Sequence, residues 1–147
     1  MSGITLLVED PKWRSHPGLM ARLTKAAEAA RRSARLKGGF TILLAGDKRL
    51  RALNCDFRGL DKPTNVLSFP GTDAYAGDIA IAYGVTSKEA KAAAKNFADH
   101  AAHLVVHGVL HLAGYDHERS KDAKVMEPLE VKILKRLGIA DPYKAAV

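Results

Sequence analysis

Three histidines constrain this chain more than any other feature in it. They stand in the stretch His107-Gly108-Val109-Leu110-His111-Leu112-Ala113-Gly114-Tyr115-Asp116-His117, at positions i, i+4 and i+10. If the segment to Leu112 is helical, His107 and His111 lie one turn apart on the same face. Two imidazoles so placed can hold one metal ion between them. Gly114 can adopt the left-handed conformation that ends a helix without a Cβ clash, so the chain can turn and bring His117 back to the same ion. Three neutral imidazoles with an open fourth position describe a catalytic zinc site better than a closed structural one.

The remaining histidines narrow the choice. His100, His103, His107 and His111 share roughly one helical face. With a rise of ~1.5 Å per residue, His103 and His111 stand ~12 Å apart along the axis and cannot share one ion. The metal set is therefore His107, His111 and His117, and His103 is left to support the site or to a structural role. The spacing equals the metzincin protease signature H-E-x-x-H-x-x-G-x-x-H. Here Gly108 stands where those enzymes carry the glutamate that deprotonates the zinc water, so ordinary peptide hydrolysis loses its general base.

At 147 residues the chain is expected to form a single domain with a real core. Met1 to Asp10 lacks the basic start of a signal peptide, and no apolar run approaches the ~18 residues of a membrane helix. Cys55 is the one cysteine, which excludes an intramolecular disulfide. The expectation is a soluble, cytoplasmic protein with no membrane association. The charge of +7 is unevenly spread: residues 1–62 hold 13 Lys and Arg against 6 acids, and the remainder is balanced at 10 against 10. A basic surface favours a polyanionic partner through counterion release. A solvated, solubilising face fits the same charge.

Along the chain, Ile4 to Val8 reads as a buried strand. Pro17 suits the first turn of a helix. Leu19, Leu23, Ala26, Ala27, Ala30 and Ala34 recur at helical spacing, with Arg22, Lys25, Arg31, Arg32 and Arg35 on the other faces. Phe40 to Ala45 is a second strand, and Asp47 can cap a short helix through about Asn54. Asn54 to Asn65 is polar and rich in turn formers, a long loop that ends in the strand Val66–Phe69. Ile79 to Ala82 is a fourth strand. Thr86 and Glu89 have capping-box spacing for a helix to about Lys95. The histidine helix runs from about Ala98 to Ala113, and its apolar circumference places it centrally. A last helix, Ser120 to Leu137, buries Val125, Leu129, Ile133 and Leu137, with a kink or late start at Pro128. The fold class is α+β: a small four-stranded mixed sheet with about five helices.

At the level of motifs the chain resembles the YbeY family of bacterial endoribonucleases and ribosomal-RNA maturation factors. The resemblance rests on the histidine stretch, on Phe57-Arg58-Gly59-x-Asp61-Lys62-Pro63-Thr64-Asn65-Val66-Leu67-Ser68-Phe69-Pro70, and on Gly77-Asp78-Ile79-x-Ile81. Met126-Glu127 and Asp141-Pro142-Tyr143 fit as well. It implies a zinc-dependent, single-strand-specific endoribonuclease with one Zn2+ per chain, acting at the 3′ end of small-subunit ribosomal RNA and in ribosome quality control. Its partners would be single-stranded RNA, ribosomal RNA and ribosomal particles. His107, His111 and His117 match the metal ligands, and Arg58 matches the catalytic arginine. Physical chemistry agrees: zinc on neutral ligands polarises a phosphoryl oxygen, and a guanidinium can bind two oxygens of the scissile phosphate. Lys62 is a candidate for a neighbouring phosphate. The general base, with Asp61 and Asp116 both in reach by sequence, the RNA sequence preference and the oligomeric state stay open. Two other readings remain: a ribosome-associated assembly factor with a mainly structural metal, and a metal-dependent hydrolase of another bond.

Overall fold

Short apolar runs and amphipathic segments alternate along this chain, and they assemble into one sheet covered by helices. The structure, a computed structural model, describes residues 3–115 and 120–143. Its strands are β1 (Ile4–Val8), β2 (Gly39–Ala45), β3 (Val66–Pro70) and β4 (Tyr75–Ala82). Its helices are α1 (Leu19–Ala34), α2 (Asp47–Arg58), α3 (Tyr83–Ala92), α4 (Phe97–Leu112) and α5 (Ser120–Arg136), with a 3₁₀ turn at Pro11–Ser15. The sheet order is β1-β2-β4-β3. β1, β2 and β4 are parallel, and β3 runs antiparallel to β4 at the edge. This is the expected α+β fold with a four-stranded mixed sheet.

The period of two decides what each face of the sheet meets. Phe40, Ile42 and Leu44 of β2 and Ile79 and Ile81 of β4 are fully buried and pack with α1 and α4. The opposite face sets Ala45, Leu67 and Ala80 against Leu50 of α2. Trp13 closes one end of the main core, its indole Nε1 donating to the Ala45 carbonyl at 2.9 Å.

α4 is apolar around most of its surface, and such a helix is stable only when covered. It touches α1, α3, α5, β3 and β4. Asn96 caps it, its side chain accepting from the amides of Ala98 and Asp99. Gly114, at φ +99, takes the chain out of the helix as its place after Leu112 requires.

Several local expectations are corrected. α2 does not stop near Asn54 but continues to Arg58, where Gly59 at φ +69 ends it. Asp47 does not cap that helix; its carboxylate instead accepts from the Val85 amide, tying α2 to α3. Thr86 is not a cap either, because β4 runs directly into α3 at Tyr83. Its hydroxyl donates back to the Ala82 carbonyl at 2.6 Å, one turn earlier. Pro17 lies just before α1, whose cap is Gly18. Pro128 does not delay α5, which begins at Ser120.

The inward face of α5 also differs. Met126, Glu130, Ile133 and Leu134 are buried, whereas Val125 is 58% exposed. Ile133 is buried as expected, and Leu129 and Leu137 pack half-buried against the core. The inward arc is rotated from the expected stripe toward Met126 and Glu130, which turns a carboxylate inward.

Candidate metal centre and its cleft

The half-buried side of α4 forms one wall of a cleft of about 500 Å³. His100, His103, His107 and His111 line it, as their common helical face predicts. The edge strand β3 and the residues before it, including Asn65 and Ser68, form the facing wall. The cleft is shaped by two regular elements, so its wall positions are held by sheet and helix hydrogen bonds.

Within it, His107 Nε2 and His111 Nε2 are 3.0 Å apart. Two ring nitrogens at that distance need a proton or a cation between them. Nitrogens each ~2.0–2.1 Å from a tetrahedral zinc stand roughly 3.3 Å from one another, so the pair fits a shared ion. The structure thus brings together two of the three expected ligands. His117 and Asp116 lie outside the described residues.

A buried carboxylate, absent from the expected site, completes the cluster. Glu130 on α5 is fully buried. It sits 2.7 Å from His103 Nε2 and 3.2 Å from His107 Nδ1, and it accepts from the Tyr143 hydroxyl at 2.9 Å. Burial pushes the Glu130 pKa up, but the bonds from His103 and His107 outweigh it and bring the carboxyl down to about 2. The same burial and the neighbouring carboxylate push the Tyr143 hydroxyl upward, so it stays a donor. His103, His107 and Glu130 present ligand atoms within 4.8 Å of one another, and this group too could hold a metal. The sequence signal that could have found Glu130 is weak: a carboxylate at an inward helical position, easily read as solvated.

A second cluster lies farther along the cleft. His100 Nε2 is 2.9 Å from Glu89 Oε1, which also accepts from Asn65 Nδ2 at 3.1 Å. Burial lowers the His100 pKa, and the Glu89 bond opposes it.

Arg58, at the last turn of α2, lines the same cleft as His107 and His111. It is exposed, and no ion pair forms to it among the described residues. Some other cations of the basic half are paired: Arg22 with Asp99, Arg31 and Arg32 with Glu28, Arg49 with Glu9. Asp61 is engaged by Arg51 at 2.8 Å, which holds its carboxyl below the ordinary range. Lys62 is exposed in the following loop and is not part of the cleft wall.

Gly108 explains the missing glutamate. It is buried where α4 crosses the sheet, and a Cβ there would stand 2.9 Å from Ile79 Cγ2 and 3.3 Å from Ser68 Oγ. A side chain at this position would run into the sheet.

The family model described as Endoribonuclease YbeY matches residues 13–138. A protein named Endoribonuclease YbeY from Chelativorans sp. (strain BNC1) is 51% identical over 134 residues, covering 86% of this chain and 82% of the relative. Its namesake from Maricaulis maris (strain MCS10) is 44% identical over 148 residues, covering 97% and 92%. A solution structure of a Thermotoga maritima protein superposes with a TM-score of 0.67 at 29% identity, covering 96% of this chain and 99% of the other.

Proposed function

The chain belongs to the YbeY endoribonuclease family, and from that premise we propose that it is a zinc-dependent endoribonuclease cutting single-stranded RNA in the cleft between α4 and β3. The observation that carries this reading is the convergence of His107 Nε2 and His111 Nε2, 3.0 Å apart, in a cleft that Arg58 also lines. His107 and His111 would hold the ion together with His117. Bound there, zinc supplies Lewis acidity toward a phosphoryl oxygen. Arg58 offers a planar fork of donors to the non-bridging oxygens of the scissile phosphate, where charge develops. Lys62 would meet a flanking phosphate.

The substrate follows from the family and the charge. Maturation of the 3′ end of small-subunit ribosomal RNA and ribosome quality control are the roles we assign, with ribosomal particles as partners and the cytoplasm as the compartment. No helix among the described residues is long and apolar enough to cross a membrane. Peptide hydrolysis is disfavoured by the close packing of Gly108.

The test is element-specific metal analysis of untagged protein, alongside cleavage of single-stranded RNA, for wild type and His111→Ala. Loss of both metal and cleavage in the variant supports the reading. Full metal content with wild-type cleavage in His111→Ala overturns it.

A further inference from the structure

Glu130 has no place in the proposed ligand set, yet it is the most deeply buried acid of the site. Three donors surround it. His103 Nε2 lies 2.7 Å from Oε2, His107 Nδ1 lies 3.2 Å from Oε1, and the Tyr143 hydroxyl donates to Oε2 at 2.9 Å. Both carboxylate oxygens are therefore occupied by polar hydrogens.

We propose that Glu130, steadied by Tyr143, is a positioning residue that orients His107 toward the ion and is not itself a ligand. This rests on the reading that His107 and His111 hold the metal.

Two observations separate the two roles, and a third shows what steadies the carboxylate. His107 has two ring nitrogens, and they point to different partners. Nδ1 meets Glu130, and Nε2 meets His111. A carboxylate accepting at Nδ1 selects the tautomer protonated there, which leaves the Nε2 lone pair for a metal. Second, Glu130 is fully buried and does not line the cleft, whereas His107 and His111 do. Glu130 thus stands behind the histidines that face the substrate. Third, the carboxylate answers to a segment beyond α5. Tyr143 follows that helix, and its stretch is pinned by Lys95 Nζ donating to the Pro142 carbonyl at 3.0 Å. The segment after α5 thus reaches the metal helix through one hydroxyl and one carboxylate.

Titration of metal-free protein with Zn2+ against a competing chelator tests this, with wild type, His107→Ala, Glu130→Gln and Tyr143→Phe. Removing an outer carboxylate partner weakens metal affinity by about 10–100-fold. We expect Glu130→Gln to fall in that range and His107→Ala to bind far more weakly than either Glu130→Gln or Tyr143→Phe. Tyr143→Phe, which removes one exposed-side hydroxyl and leaves the core intact, should weaken binding several-fold.

A second readout is the ¹⁵N spectrum of the imidazoles. Wild-type His107 should be protonated at Nδ1, and Glu130→Gln should mix the tautomers. Wild-type affinity in both Glu130→Gln and Tyr143→Phe overturns the proposal, as does loss in Glu130→Gln as complete as in His107→Ala. A wild-type His107 protonated at Nε2 with Nδ1 bare also overturns it. Undiminished Zn2+ binding in His107→Ala would instead sink the ligand assignment beneath it.

Discussion

Ser68 Oγ donates to the Gly108 carbonyl across 3.0 Å, joining the edge strand β3 to the middle of the metal helix. Beside it Gly108 packs against Ile79, so the residue that follows His107 must lack a side chain. Gly108→Glu would restore the metzincin pattern in sequence and place a carboxylate into this contact. We expect a loss of about 3 kcal/mol in unfolding free energy from overpacking and burial of charge, and no peptide hydrolysis. Urea denaturation and a peptide-cleavage assay check both parts, and a stable variant that cuts peptides would refute them.

Arg58 reaches the cleft from the last turn of α2 and takes no part in the metal cluster. Arg58→Ala should therefore retain its zinc while RNA cleavage falls by roughly 100-fold or more. Arg58→Lys should recover only part of the loss, since an ammonium cannot grip two oxygens in one plane. Single-turnover cleavage with parallel metal analysis measures this. Loss of zinc in Arg58→Ala would show a structural role instead.

Burial lowers the pKa of His100, the Glu89 bond and charge raise it, and His103 and Lys95 add to the lowering. A histidine lowered in this way binds fewer protons folded than unfolded, so stability rises with pH through its titration. The contribution is complete above the ordinary value of 6.5 and is lost as pH falls below it. Wild type should lose stability between about pH 7.5 and about pH 5.5 more steeply than His100→Asn. Urea midpoints across that window decide it, and equal slopes would contradict the assignment.

Asn54 is buried, and its Nδ2 donates to the Lys62 carbonyl at 2.9 Å. This bond folds the loop after Arg58 back onto α2. Asn54→Ala leaves that carbonyl without its partner and should cost about 1–3 kcal/mol. Chemical denaturation gives the number; a change below the measurement error would mean that the loop is held by other contacts.

Much of the site was legible because its signals are local. The four strands are short apolar runs, and α4 shows its histidine face by helical period alone. Gly114 announced the end of that helix. Arg58 was found by motif, but the sequence read it in a loop, and the structure sets it at a helix end because α2 runs on to Gly59. Thr86 misled for a related reason: its spacing to Glu89 suits a cap, while its hydroxyl bonds to Ala82 inside an uninterrupted strand-to-helix junction. Spacing names the residues that can pair; it does not say which partner is nearer.

By itself the sequence determined that His107 and His111 meet, because four residues make one helical turn and no packing is needed to bring them together. It also determined that α4 lies inside, since a helix apolar around most of its surface has no stable exposed state. Only the tertiary structure decided how far the inward arc of α5 is rotated, so that Met126 and Glu130 are buried and Val125 is exposed. A carboxylate can be buried there because His103, His107 and Tyr143 arrive from two separate segments to bond it. That compensation exists only once the chain is packed, so no periodicity in the sequence could have announced it.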